Sequence, residues 1–218
     1  MTSSKTLIAD PAADCDLCPR LVAFRKESQI KNPDWFNGAV GSFGDTKARL
    51  LIVGLAPGLT GANRTARPFT GDFAGDLLYQ TLAEYGFSTG TYDKRADDGV
   101  TLNDCRITNA VRCVPPQNKP TGAEVKTCRQ FLVGQLTQAP APRAILALGR
   151  IAHDTMLTTL ELRRAAYPFS HGGKHELEDG RVLYDSYHCS RYNTNTRRLT
   201  TDMFRDVFAV IRADLDAL

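Results

Sequence analysis

The sequence predicts an α/β fold in which a parallel sheet is covered by helices on both faces. Three observations carry this. Four short runs are rich in apolar and β-forming residues: RLLIVG (49–54), CRITNAV (105–111), AILAL (144–148) and RVLYDSY (181–187). The first and third are nearly continuous in their apolar character, as expected of strands buried on both faces. Segments with helical spacing of apolar residues follow each run, and strands alternating with helices argue for a parallel sheet.

Taken in order, the first strand runs into Gly-Leu-Ala-Pro-Gly, a loop signal. From Asp72, the spacing of Leu77, Leu78, Leu82 and Tyr85 predicts a helix. The second strand ends in a proline-rich loop, VPPQNKP, after which Thr121 and Glu124 have the spacing of a capping box. The helix they open runs through Phe131, Leu132 and Leu136. After the third strand, Gly149 opens a helix containing Ile151, Ala152, Met156 and Leu157. The fourth strand leads to His188. A final helix over 200–217 places Met203, Phe204, Val207, Phe208, Val210, Ile211 and Leu215 on one broad face. No repeat, low-complexity tract or long linker breaks the chain, so a single domain over 1–218 is expected.

Composition bounds the function. With 42% hydrophobic and 23% charged residues, the 218-residue chain can bury a full core without disulfides. A net charge of +3 is compatible with nucleic-acid binding, but a local basic patch decides that matter. No run approaches eighteen apolar residues, so no membrane helix is expected. The N-terminal MTSSKTLIADPAADC lacks a secretory core and cleavage site, and a cytoplasmic protein is expected. In that compartment, six cysteines are metal ligands or core residues rather than disulfides.

Cys15-x-x-Cys18 precedes a helical pattern, and Cys113 and Cys128 follow with fourteen residues between them. A close pair plus two distant thiols suffices for zinc or for a [4Fe–4S] cluster. Cys105 reads as a buried strand residue.

In a parallel sheet, ligands bind beyond the carboxyl ends of the strands. The loops after Gly54, after Val111 and after Tyr187 should therefore converge on one cleft. In the first, Arg64 and Arg67 are suited to phosphates, and Phe69 is either a stacking platform or a core phenylalanine. In the second, the carboxamide of Asn109 matches a pyrimidine edge or serves a turn. The third carries His188, Ser190, Arg191, Arg197 and Arg198 in a short span suited to a phosphodiester. His171 and His175 lie at loop spacing and read as solvated.

GLAPGLTGANRTARPFTGD (54–72), TNAVRCVPPQNKP (108–120) and YHCSRYNTNTRRLT (187–200), with the four cysteines in order, resemble the family-5, or B-type, uracil-DNA glycosylases. The resemblance spans Cys15 to the last helix. It implies a three-layer α/β/α uracil-DNA glycosylase fold with a central four-stranded parallel sheet. It also implies a structural [4Fe–4S] cluster held by Cys15, Cys18, Cys113 and Cys128, and a bacterial or archaeal origin. The implied activity is monofunctional base excision of uracil, and of other deaminated bases such as hypoxanthine and etheno-cytosine, from DNA; the protein is expected to be a monomer. By the same resemblance, Phe69 stacks on the flipped base and Asn109 bonds its pairing edge. Gly54, Ala56 and Pro57 complete the base site, and His188 contacts O2 of the departing base. Arg64, Arg67, Ser190, Arg191, Asn195, Arg197 and Leu199 would grip DNA, the 190–199 segment as a minor-groove wedge.

Related glycosylases keep an acid or amide just after the first strand to orient water. Here Leu55 and Ala56 stand there, leaving Asn63 as first candidate and Asp72 as second. The third motif has Cys189 where proline is usual, and glycine is common at the positions of Arg197 and Ala66. Cys189, beside His188, is expected to be oxidisable. These departures leave open an iron–sulfur nucleic-acid binder with weak or lost turnover on the same scaffold.

Overall fold

The structure, a computed structural model, describes residues 10–137 and 142–218. Most of the N-terminal stretch read for secretion (residues 1–9) lies outside them. In chain order the elements are α1 (Pro19–Lys31), β1 (Phe43–Gly44), β2 (Leu50–Gly54), α2 (Ala62–Thr65) and α3 (Phe73–Glu84). Then come β3 (Ser88–Thr89), β4 (Thr101–Leu102), β5 (Cys105–Asn109) and α4 (Gly122–Thr137). The chain closes with β6 (Ala144–Leu148), α5 (Arg150–Thr159), β7 (Lys174–Glu176), β8 (Val182–Ser186), α6 (Arg191–Asn195) and α7 (Thr201–Asp216).

The main sheet has the order β1-β5-β2-β6-β8-β7. Its four inner strands are parallel, as the sequence leads one to expect. The sheet as a whole is mixed, because two- and three-residue strands close both edges in antiparallel pairing. These correct the expected four-stranded sheet: runs that short carry no periodic signal.

Burial on both faces is visible residue by residue. Leu50 and Ile52 of β2, with Leu146 and Leu148 of β6, pack with Leu78 and Leu82 of α3 and Phe204, Phe208 and Ile211 of α7. The alternate residues Leu51, Val53, Ile145 and Ala147 face Leu132 and Leu136 of α4 and Met156 and Leu157 of α5. Val210 falls outside the buried stripe of α7 and is 46% exposed. The capping box holds, Thr121 N donating to Glu124 at 2.7 Å while Glu124 N donates to Thr121 Oγ1, and Thr200 proves to be the cap of the last helix, its Oγ1 accepting from Met203 N at 3.2 Å. No helix among the described residues is long and apolar enough to cross a membrane.

Candidate active site and cysteine centre

The parallel register pairs Gly54 with Asn109 at the carboxyl ends of β2 and β5, and β8 delivers His188 to the same end. There the three loops enclose a cleft of about 620 Å³. Ala56, Pro57, Phe69, Asp72, Asn109 and His188 all line it. The rings of Phe69 and His188 lie 5.8 Å apart at 27°. Gly54 closes the floor behind them: a Cβ there would stand 2.6 Å from Phe69 Cζ and collide with Asn109 Oδ1. The close approach of ring and amide therefore requires glycine.

The polar groups of the cleft differ in state. The Asn109 side chain makes no hydrogen bond to protein among the described residues, so its donors and acceptor are free. His188 is half-buried in the cleft wall, and the partial loss of hydration lowers its pKa to about 4 and keeps the imidazole neutral at neutral pH. Asp72, at the mouth of α3, is pushed upward from its ordinary value by burial, and its Oδ1 has no partner.

The backbone around His188 is pinned from two sides. Asn193 Nδ2 donates to His188 O at 2.8 Å. His171 Nδ1 accepts the N–H of Tyr187 at 3.1 Å, while its Nε2 donates to Met203 O at 3.2 Å. His171 is thus a structural anchor for the strand end, and the solvated reading of it fails. So does that of His175, which bonds Asp185 at 3.1 Å. Neither role has a sequence signal, because each depends on partners that the fold supplies.

Four other readings are corrected. Asn63 is wholly buried away from the cleft, where its Nδ2 donates to Asn37 Oδ1 at 2.9 Å, tying α2 to the segment after α1. Arg67 is 5% exposed, bonded through two nitrogens to Asp98 at 2.7 Å and surrounded by the rings of Phe43, Tyr79 and Tyr92. It has nothing left for a phosphate. Leu199 is 1% exposed and belongs to the core rather than to a wedge. Cys189 is likewise buried, with Sγ donating to Ala74 O and burial raising its pKa, so the expected oxidisable thiol is shielded. By contrast Arg64, Arg191, Asn195 and Arg197 are exposed, Ser190 caps α6, and Arg191 lies over the Phe73 ring at 5.3 Å. Ala66 and Arg197, where the resemblance expects glycine, both have positive φ, 65° and 56°.

The four expected cysteine ligands converge beside this core. Cys15, Cys18, Cys113 and Cys128 line one enclosed space with Leu21, Val111 and Phe131, and all four are free thiols. Arg25 fixes the loop before α1 by donating to Ala13 O at 2.6 Å and Cys15 O at 2.5 Å. The backbone N–H of Arg112 donates to Cys128 Sγ at 3.3 Å.

The sequence matches the model of the uracil DNA glycosylase superfamily over residues 41–212. A type-5 uracil-DNA glycosylase of Thermus thermophilus is 46% identical over 88% of this chain and 90% of that protein. The chain belongs to the type-5 uracil-DNA glycosylases. A second type-5 uracil-DNA glycosylase, of Pyrobaculum aerophilum, is 39% identical over 94% of this chain and 91% of its own length. A type-4 uracil-DNA glycosylase from the same organism reaches 34% over 69% of this chain and 63% of that protein. Membership of the type-5 group accords with Leu55 and Ala56 at the head of the first loop, positions where the resemblance places an acid or amide in other groups.

Proposed function

We propose that the protein is a monofunctional uracil-DNA glycosylase of base excision repair, which flips uracil and other deaminated bases out of DNA and hydrolyses their N-glycosidic bond. One observation carries this: an aromatic ring, an uncommitted carboxamide and a neutral imidazole, from three distant segments, face a single cleft. Two stacked contacts of roughly 3.5 Å each need ring planes about 7 Å apart. At 5.8 Å, Phe69 and His188 leave no room for a base between them. The base therefore lies on Phe69 with His188 at its edge.

Breaking the bond leaves positive charge on the sugar and negative charge on the base. Neutral His188 donates a hydrogen bond to the base oxygen as that charge develops, without having to lose a proton first. Asn109 reads the pairing edge with both kinds of group. With Asn63 removed from the cleft, Asp72 is the group that orients the attacking water: it lines the cleft and one of its buried oxygens is unpaired. Arg64, Arg191, Ser190, Asn195 and Arg197 contact the backbone of the DNA. The wedge is Tyr192, 72% exposed on α6, in place of buried Leu199.

The enclosed set of four thiols, with an N–H donor to one sulfur and cationic Arg25 and Arg112 nearby, suits an anionic [4Fe–4S] cluster. Cys15, Cys18, Cys113 and Cys128 would hold it, and its contribution is to cross-link the N-terminal segment to the sheet.

The test is excision from oligonucleotides carrying uracil, hypoxanthine or etheno-cytosine. His188→Ala, Asn109→Ala and Asp72→Asn should each lower the rate on uracil by ~100-fold or more while melting as the parent does. Failure to excise any of the three bases would leave only a DNA-binding role. Tyr192→Ala should slow excision from duplex far more than from single-stranded DNA, because only the duplex must be held open; an equal loss on both would remove the wedge.

A further inference from the structure

Asp185 of β8 is wholly buried, and among the described residues no lysine or arginine pairs with it. Its two oxygens meet histidines instead. Oδ1 lies 2.6 Å from Nδ1 of His153 on α5, and Oδ2 lies 3.1 Å from Nε2 of His175 on β7. One nitrogen from each ring and one carboxylate oxygen fall within 4.8 Å of one another. A buried carboxylate needs its charge balanced, by a protonated imidazole or by a bound cation.

The surroundings orient these groups as metal ligands are oriented. His153 Nε2 donates to Tyr167 O at 2.9 Å, which reserves Nδ1 for the carboxylate side; such an outer-shell bond fixes a ligating histidine. A Cβ at Gly173 would stand 2.9 Å from Ser170 Oγ and 3.2 Å from Asp185 Oδ2, so glycine lets this segment pack closely against the carboxylate. Phe169 meets the His153 ring edge-on, and Tyr167 does the same to His175, forming an apolar rim.

We propose that His153, Asp185 and His175 bind a borderline divalent transition ion, of which zinc is the representative. Two imidazoles and one carboxylate are too rich in nitrogen for magnesium or calcium, and without a thiolate they do not select copper(I). In the metal-free protein, Nδ1 lies 2.6 Å from a carboxylate oxygen, a contact that requires a shared proton between them. Metal entry forms the Nδ1–metal bond and releases that proton to solvent. Two ligands each ~2.1 Å from a tetrahedral ion stand about 3.4 Å apart, so the 2.6 Å contact must open by about 0.8 Å on metal entry.

Cobalt(II) titration of the purified full-length protein tests this. The expected result is one equivalent of cobalt with weak visible d–d bands, no thiolate-to-metal charge transfer, and a raised melting temperature. His175 is 14% exposed on an edge strand, so His175→Ala and His175→Gln should still fold. Both should weaken this binding by about tenfold or more, as loss of a direct ligand must exceed loss of an outer-shell one. Three results would overturn the site: no such bands at millimolar cobalt, bands accompanied by thiolate charge transfer, which marks the cysteine set instead, or affinity unchanged in both variants.

Discussion

His188 illustrates how much a single side chain takes from its surroundings. Its folded pKa of about 4 lies below the ordinary 6.5, so between those values the unfolded chain binds the extra proton and the folded one does not. This contribution to stability is lowest at acid pH, rises between about 4 and 6.5, and is flat above. Excision should follow the same group. The acid limb of kcat/KM should bend near pH 4, and a bend near 6.5 would show that the imidazole works in the open. Asn109 and His188 could be placed because one ends a strand and the other stands just past one, where a parallel sheet puts its ligand, and Phe69 because it lies in the loop after the first strand. Asn63 and Arg67 share that loop setting but were misplaced. What buries them, Asn37 and Asp98, lies 26 and 31 residues away, and nothing local announces either partner.

Among the elements, long and strongly patterned ones are readable from spacing alone, and α4 with its capping box at Thr121 and Glu124 as well. Thr200 caps the helix that carries Phe204, Phe208 and Ile211 into the core. Replacing it with alanine should cost about 1 kcal/mol, measured as a lower urea midpoint at unchanged slope; a change below a few tenths would mean the cap is idle. Edge strands β1 and β7 were not readable, having two and three residues. Nor was α6, whose five polar residues hide its start at Ser190, although that side chain accepts from Asn193 N. The departures at Ala66 and Arg197 gain a meaning at this scale. Both residues end short helical turns with φ near +60°, where glycine would sit without strain. Their side chains are accommodated by positions that would suit glycine better.

At the scale of the whole molecule, the N-terminal segment is joined to the sheet at several points. Residues 10–42 contribute α1 and reach the rest of the molecule through Leu21, Ala39 and the thiols, and through polar links such as Asp10 with Arg106 and Arg112, Arg20 with Glu124 and Asn37 with Asn63. A cluster there would act as a covalent staple between segments whose cysteines lie 95 to 113 residues apart in sequence. The protein should therefore be brown as purified. Removing iron by oxidation and chelation should bleach it, lower the melting temperature by several degrees or more, and expose the segment before residue 43 to protease first. Equal protease resistance with and without iron would show that packing alone holds that segment. The fold class and the cysteine order were both visible in the chain, since apolar runs and spacing are local. The mutual placement of α1, α4 and the loop after β5 was not.

The floor of the cleft has one more implication, for change rather than for catalysis. Because residue 54 has no atom to spare toward ring or amide, the depth of the pocket is set by backbone and cannot be trimmed or extended by exchanging a side chain there. Any drift toward larger or smaller lesions must come from the walls, through Ala56, Pro57 or the α6 rim, while the bottom stays constant.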